Sequence, residues 1–147
     1  LNVSWDHRFL DLAKNLATWS KDPSTPVGAV AVRDRRILGT GYNGFPHGIA
    51  DLPGRLSNRG EKLLRTVHAE ANIIAHAARN GVGLDGSTVY VWPFLPCSNC
   101  CTLLIQAGIV RVVAPDFPIP DRWEESFRMS QSMFKEANVE LTLLEVE

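Results

Sequence analysis

No surplus of basic residues marks this chain: 15 lysines and arginines stand against 16 aspartates and glutamates, a net charge of -1. Proteins that grip nucleic acid draw much of their affinity from neutralised phosphates and carry a basic stripe or face for it. The even balance therefore favours a small-molecule substrate over a nucleic acid polymer. No apolar run approaches the roughly 20 residues a membrane-spanning helix needs, so no membrane role is expected. Repeats, low-complexity tracts and long charge runs are absent as well. Nothing in residues 1–147 reads as a signal peptide, and the start at Leu1 leaves an upstream targeting segment open. Cysteine is scarce. The 3 present are an odd number and too few for a disulfide framework. They point to a reducing, cytoplasmic compartment where thiolates are free for a metal.

What remains is the composition of a globular protein. At 147 residues and 45% hydrophobic content, a single domain over residues 1–147 with a sizeable core is expected. From Trp5 to about Ser20, the residues Phe9, Leu12, Ala13, Leu16 and Ala17 share one helical stripe, with Ser4 placed to cap it. Lys21 to Pro26 breaks that helix. Val27–Val32 and Arg36–Tyr42 then read as a hairpin turning at Arg33 to Arg35. Residues 43–58 read as a long loop, a length that usually means function or motion. A helical pattern starts ahead of His68, continues through Ala78 and ends near Gly81 and Gly83. There follow a strand Thr88–Trp92, a turn Pro93–Pro96 and a helix from about Ser98 to Ala107. Strand Ile109–Ala114, a helix capped by Asp121 and running to about Ala137, and strand Val139–Val146 complete the chain. The strand–helix–strand rhythm of the latter half implies parallel pairing with right-handed crossovers. The expected fold is α/β, a three-layer α/β/α sandwich around a five-stranded mixed sheet.

Two short motifs carry the chemistry: His68-Ala69-Glu70 at the start of one helix, and Pro96-Cys97-Ser98-Asn99-Cys100 at the start of the next. A Cys-x-x-Cys pair at a helix N-terminus presents two sulfurs about one turn apart, where free N–H groups and the helix dipole favour thiolates. Imidazole plus two thiolates suits Zn²⁺ and disfavours Mg²⁺ or Ca²⁺. The ligand count then separates a structural metal from a catalytic one. His76 lies eight residues past His68, roughly 12 Å along a helix axis, too far to share the ion. Cys101 points about 100° away from Cys100 and reads as a small core residue. No spacing ties His7 or His47 to the motifs. Three ligands remain, His68, Cys97 and Cys100, which leaves a fourth position for water. Two thiolates cancel the charge of the ion and weaken it as an acid, so a base beside the water is required. Glu70, two residues from a ligand, fits that proton-shuttling role. His-x-Glu followed by Pro-Cys-x-x-Cys is the signature of zinc deaminases that act at C4 of cytosine or C6 of adenine.

On these motifs the chain resembles the cytidine and deoxycytidylate deaminase family, most closely its deoxycytidylate (dCMP) deaminases. Ser20–Val30 looks like their first loop and strand, and Gly41-Tyr42-Asn43-Gly44-Phe45-Pro46 like their second strand and substrate loop. Glu61-Lys62, Thr66–Asn72 and Gln106-Ala107-Gly108-Ile109 fit as well. The resemblance implies zinc on His68, Cys97 and Cys100, proton transfer by Glu70, and Asn43 on the sugar or base. It places residues near Ser20 to Thr25, including Lys21 and Ser24, by the phosphate, and it implies a homo-oligomer. Trp92-Pro93-Phe94-Leu95 is one residue longer and more apolar than the usual approach to the cysteines. The extra Cys and His residues that serve a second zinc in some relatives are absent.

Each residue also has a plainer reading. Asn43 in Asn-Gly serves equally as a turn residue. Phe94 either lines a pyrimidine pocket, the favoured reading, or caps the core. Lys21, Arg55, Arg59, Lys62 and Arg65 are candidate phosphate partners, although most surface cations are simply solvated. The expected activity is zinc-dependent hydrolytic deamination of a cytosine nucleotide, dCMP to dUMP with ammonia release. Cytidine, free cytosine, a modified cytidylate or another aminated heterocycle are the alternative substrates. A zinc-stabilised binding module without turnover is the alternative of another class.

Overall fold

Alternation within short β-branched runs sets the architecture of residues 4–146, which the computed structural model describes. In β1 (Gly28–Arg33), Ala29 and Ala31 join one core cluster while Val30 and Val32 join another. After β2 (Arg36–Tyr42), the pattern recurs in β3 (Thr88–Trp92), which parts Val89 and Val91 from Tyr90. It recurs again in β4 (Arg111–Pro115), which parts Val112 from Val113. Strands buried on both faces need helices on both faces. With β5 (Glu140–Leu144) they form a five-stranded sheet in the order β2-β1-β3-β4-β5. β1 runs antiparallel to β2 and β3, and β3, β4 and β5 are mutually parallel. The mixed α/β/α sandwich expected from the sequence is the fold observed.

One face is covered by α1 (Trp5–Ala17), whose N-cap Ser4 accepts a hydrogen bond from the His7 amide. Its Phe9, Leu10, Ala13 and Leu16 pack on Val30, Val32, Tyr90 and Val113. The approach is so close that a Cβ on Gly28 would sit 2.1 Å from the Ala13 carbonyl oxygen. Arg111 of β4 fastens the start of this helix, donating from Nη1 to Asp6 Oδ1 (2.9 Å) and from Nη2 to Asp6 Oδ2 (2.7 Å).

Between β2 and the opposite helical layer the structure departs from the expected long loop and single helix. Residues 43–58 contain a short helix, α2 (Pro53–Ser57), and Asn58 then caps a separate α3 (Arg59–Arg65). Thr66 and Val67 are β-branched and leave the helix: Val67 exchanges backbone hydrogen bonds with Gly44 at 2.8 and 3.1 Å. His68 is consequently the N-cap of α4 (Ala69–Asn80), at a helix start as its motif implied, and the helical pattern ahead of it belongs to the separate α3. The far layer is completed by α5 (Ser98–Gln106) and α6 (Glu124–Glu136), with Ile73, Leu104 and Phe134 fully buried against Ala29, Ala31 and Val89. Asp121 does not cap α6. It opens a 3-10 turn, Asp121–Trp123, that feeds into the helix. Among the described residues, no helix is long and apolar enough to cross a membrane.

Candidate active site

Two helix starts meet at one point. His68 and Cys97 are the N-caps of α4 and α5, both with extended backbone, so their side chains project beyond the helices. His68 Nδ1 lies 3.5 Å from Cys97 Sγ and 3.3 Å from Cys100 Sγ, and the three donor atoms all fall within 4.8 Å of one another. The edge of a tetrahedron with Zn–N and Zn–S bonds of ordinary length is roughly 3.6 Å. The donor set therefore fits a zinc ion both in its chemistry and in its spacing.

Each helix start is held by specific neighbours. At α4, the Gly44–Val67 bridge fixes the chain ahead of His68, and Gly41 of β2 lets the sheet approach: a Cβ there would lie 2.3 Å from the Ala69 carbonyl oxygen. At α5, two serines one turn apart on α6 brace the cysteine turn. Ser126 Oγ accepts from the Ser98 amide (2.9 Å), and Ser130 Oγ donates to the Pro96 carbonyl (2.8 Å). Neither serine was singled out in the sequence, although two serines spaced by four on an otherwise amphipathic helix are the trace such a brace leaves.

Electrostatics separate the three cysteines. The Cys97 thiol is held down to about 4, chiefly by its hydrogen bond with Cys100, which together with His68 outweighs burial. The same contact, with burial, drives Cys100 upward. Cys101 is fully buried, its thiol pushed up to about 11 by that burial and aimed at the Ser130 carbonyl, and it stands outside the donor set. Glu70, in the first turn of α4 and 4% exposed, is raised to about 7, with burial the dominant cause. His76 is exposed.

His68, Glu70 and Cys97 line a cavity of about 770 Å³ that opens to solvent. Three of the four expected substrate contacts, Asn43, Ser24 and Phe94, line it too. Asn43 is doubly committed: its Oδ1 accepts from the Val27 amide (2.9 Å) and its Nδ2 donates to the Thr25 carbonyl (3.0 Å). Lys21 lies outside the lining, with Nζ on Asp51 Oδ2 at 3.0 Å and its side chain 68% exposed. The adjoining Asp22 faces the cavity instead. Burial works against its charge, but the amides of Ser24 and Thr25 and the ammonium of Lys62 hold its carboxyl below the ordinary value. Of the candidate phosphate partners, Arg59 and Lys62 reach the lining and Arg55 and Arg65 do not. The sequence reading missed Asp22, Arg122, Trp123 and Phe127. Trp123 and Phe127, four apart across the start of α6, stack with ring centres 6.1 Å apart, and Phe94 leans on Phe127 at 6.0 Å.

An α/β/α sandwich with one imidazole and two thiols in a single donor cluster, and a buried carboxylic acid beside it on the cavity, defines a zinc-centred hydrolytic enzyme. Residues 3–115 match the family model of the cytidine and deoxycytidylate deaminase zinc-binding region. The chain belongs to this cytidine and deoxycytidylate deaminase family. It is 42% identical over 145 residues to an uncharacterized deaminase in the luxG 3′ region of Aliivibrio fischeri, covering 97% of this chain and 95% of that one. To the deoxycytidylate deaminase of Mycobacterium phage D29 it is 42% identical over 123 residues, covering 76% and 94%. The dCMP deaminase of cyanophage S-TIM5, solved in complex with dCMP and dUMP, superposes with a TM-score of 0.77 over 98% of this chain and 99% of that one. At 23% identity, that likeness is one of fold.

Proposed function

We propose that the enzyme converts dCMP and water to dUMP and ammonia. The observation that carries this reading is a buried carboxylic acid, Glu70, lining one cavity with His68 and Cys97 of a donor set that, at three ligands, leaves a zinc ion a free coordination position. A zinc ion held by His68, Cys97 and Cys100 supplies a Lewis acid that makes water nucleophilic near neutral pH. Glu70 takes the proton from the attacking water and passes it to N3 as C4 becomes tetrahedral. It then delivers a proton to the departing amine. The apolar wall of Phe94 and Phe127 covers the base, and Asn43 meets the sugar or base from the opposite loop. Arg59 and Arg122 take the phosphate. Both line the cavity, and neither has a carboxylate partner among the described residues, whereas Lys62 is occupied. Ser24 assists from the loop, and Lys21 stands behind it on Asp51.

The choice of dCMP also rests on relatives named deoxycytidylate deaminase, the phage D29 protein among them. The test is a panel of cytosine, cytidine, CMP, dCMP and dCTP compared by kcat/KM. Highest kcat/KM for dCMP supports the reading; preference for the nucleoside or the free base transfers the activity to that substrate. Zinc binding with no turnover of any member leaves a binding module in its place. The partner proposed in solution is a second copy of the chain, with Leu64 of α3, 88% exposed, as a candidate contact. Light scattering that returns a monomer mass refutes this. The three free cysteines suit a reducing compartment.

A further inference from the structure

Asp22 and Lys62 form an ion pair in the cavity wall with only 11% and 6% of their side chains exposed. All the hydrogen bonds to the carboxylate fall on one oxygen. Oδ1 accepts from the amides of Ser24 (2.8 Å) and Thr25 (3.1 Å) and from Lys62 Nζ (3.1 Å). Lys62 Nζ donates in addition to Ser24 Oγ at 3.1 Å. Oδ2 has no hydrogen-bond partner among the described residues, yet it is not sealed away from solvent as the unpartnered Trp123 indole nitrogen is. A turn-capping side chain needs only the oxygen that meets the two amides, and Asn or Ser would suffice for that. Burying a lysine against the same oxygen fixes a charged carboxylate in place and leaves its second oxygen to whatever fills the cavity. Open to the cavity, this charged acceptor is met by water while the cavity is empty, and a ligand that displaces that water must supply a donor in its place.

The chemistry of that donor follows from the charge. A phosphate is repelled by a carboxylate, and the cytosine ring turns its amine toward the metal and Glu70. A neutral hydroxyl remains, and deoxyribose in dCMP has one. We infer that Asp22 Oδ2 accepts the hydrogen bond of the substrate's 3′-hydroxyl, making Asp22 a specificity residue and Lys62 the residue that positions it. The inference rests on the proposed nucleotide deamination and adds the sugar contact to it. Asp22 thus does on the sugar what Arg59 and Arg122 do on the phosphate, with opposite charge and from a different element.

The test compares dCMP with 2′,3′-dideoxycytidine monophosphate on the full, zinc-loaded chain. The native protein is expected to favour dCMP by about 10- to 100-fold in kcat/KM, the range for a hydrogen bond to a charged group. In Asp22→Asn, checked for thermal midpoint and zinc content, the preference shrinks to about 2- to 3-fold, because the one oxygen of Asn stays on the loop amides and its Nδ2, which cannot accept, takes the place of Oδ2. Should that variant not fold, Asp22→Ser gives the same readout, since its hydroxyl still accepts from the loop amides. Equal kcat/KM for the two nucleotides in the native protein overturns the inference while deamination stands. An undiminished preference in the folded variant overturns it too. No ammonia from dCMP at all removes the parent reading and this one with it.

Discussion

Cys100 Sγ lies 3.3 Å from His68 Nδ1, bridging the starts of α5 and α4 across a gap that no backbone-to-backbone hydrogen bond closes among the described residues. Without a metal this contact is a single weak hydrogen bond; with one it becomes a shared coordination sphere that ties the two helices together. Ligand that binds only the folded state stabilises it by about 2.7 kcal/mol at one hundred times its Kd. Chelation is therefore expected to lower Tm by roughly 5–10 °C for a chain of this size. Adding back Zn²⁺, and not Mg²⁺, should restore it. In Cys100→Ser the chelator shift should vanish along with the bound zinc, read by calorimetry and metal analysis. A chelator shift that persists in that variant would place the metal elsewhere.

Glu70 tests the chemistry apart from the coordination. Glu70→Gln keeps the size of the side chain and removes its proton affinity, and the residue is not among the three donors. Zinc content is expected to hold near one ion per chain while ammonia release falls about 10²- to 10⁴-fold, the usual contribution of a positioned acid–base group. Undiminished turnover with zinc in place assigns the shuttle to another group.

Ser130 gives a prediction about positioning. It is fully buried, and its hydroxyl is the donor to the Pro96 carbonyl immediately before the first cysteine. In Ser130→Ala that carbonyl loses its partner in a dry environment, a cost of about 1–3 kcal/mol in urea unfolding. The cysteine turn should loosen as well, weakening zinc about 10- to 100-fold in a chelator competition, as second-sphere partners of metal ligands do. Ser126→Ala, half-buried and able to recruit water, should cost less on both counts. A stability loss with zinc affinity unchanged would mean the brace serves the fold alone.

The Asp6–Arg111 pair sets a pH dependence far from the active site. Arg111 hydrogen bonds hold the Asp6 carboxyl below its ordinary 3.8 against the cost of burial, with Tyr90 adding a third donor at 2.8 Å. The unfolded chain then binds the proton more readily, so stability rises with pH across this range. The contribution of the pair is fully present above 3.8 and disappears as pH falls through the lower folded value. Asp6→Asn should be about 2 kcal/mol less stable than the native protein at pH 7. The gap should stay constant down to about pH 5 and narrow below 3.8. A gap independent of pH would trace the loss to packing.

The convergence of His68, Cys97 and Cys100 beside Glu70 was legible because it is bound by spacing: Cys-x-x-Cys on a helix start fixes the sulfurs, and Glu70 is two residues from His68. The strands were legible because short apolar runs such as Val89, Tyr90 and Val91 can only be buried on both faces. The cavity wall was not. Arg59, Arg122, Asp22 and Trp123 come from three separate segments whose convergence no local spacing records, and the 43–58 stretch hid α2 behind a loop-like composition while the break between α3 and α4 passed for one helical pattern. Lys21 and Asp22 show the limit well: neighbours in a loop, they point to opposite sides of it, and only the Lys62 contact decides which faces the site.

Asn43 separates a loop-fixing role from a substrate contact, and the structure gives reasons for both. The Val27 amide and the Thr25 carbonyl use its Oδ1 and one hydrogen of its Nδ2, and the residue is 7% exposed. Asn43→Ala strands both backbone groups and should cost about 2–4 kcal/mol in urea unfolding. If fixing the loop were its whole role, kcat/KM for dCMP would return to the native value once temperature is lowered until the variant is fully folded. The second Nδ2 hydrogen has no partner among the described residues, and the side chain lines the cavity, so a deficit of at least about 10-fold should persist in the folded variant. Asn43→Asp keeps the acceptor for Val27 but turns a carboxylate toward the Thr25 carbonyl and loses both hydrogens. It should fall below the alanine variant in kcat/KM, because it adds repulsion where alanine only leaves a gap. Recovery of the native kcat/KM by the folded alanine variant would show that the amide hydrogens never meet the substrate.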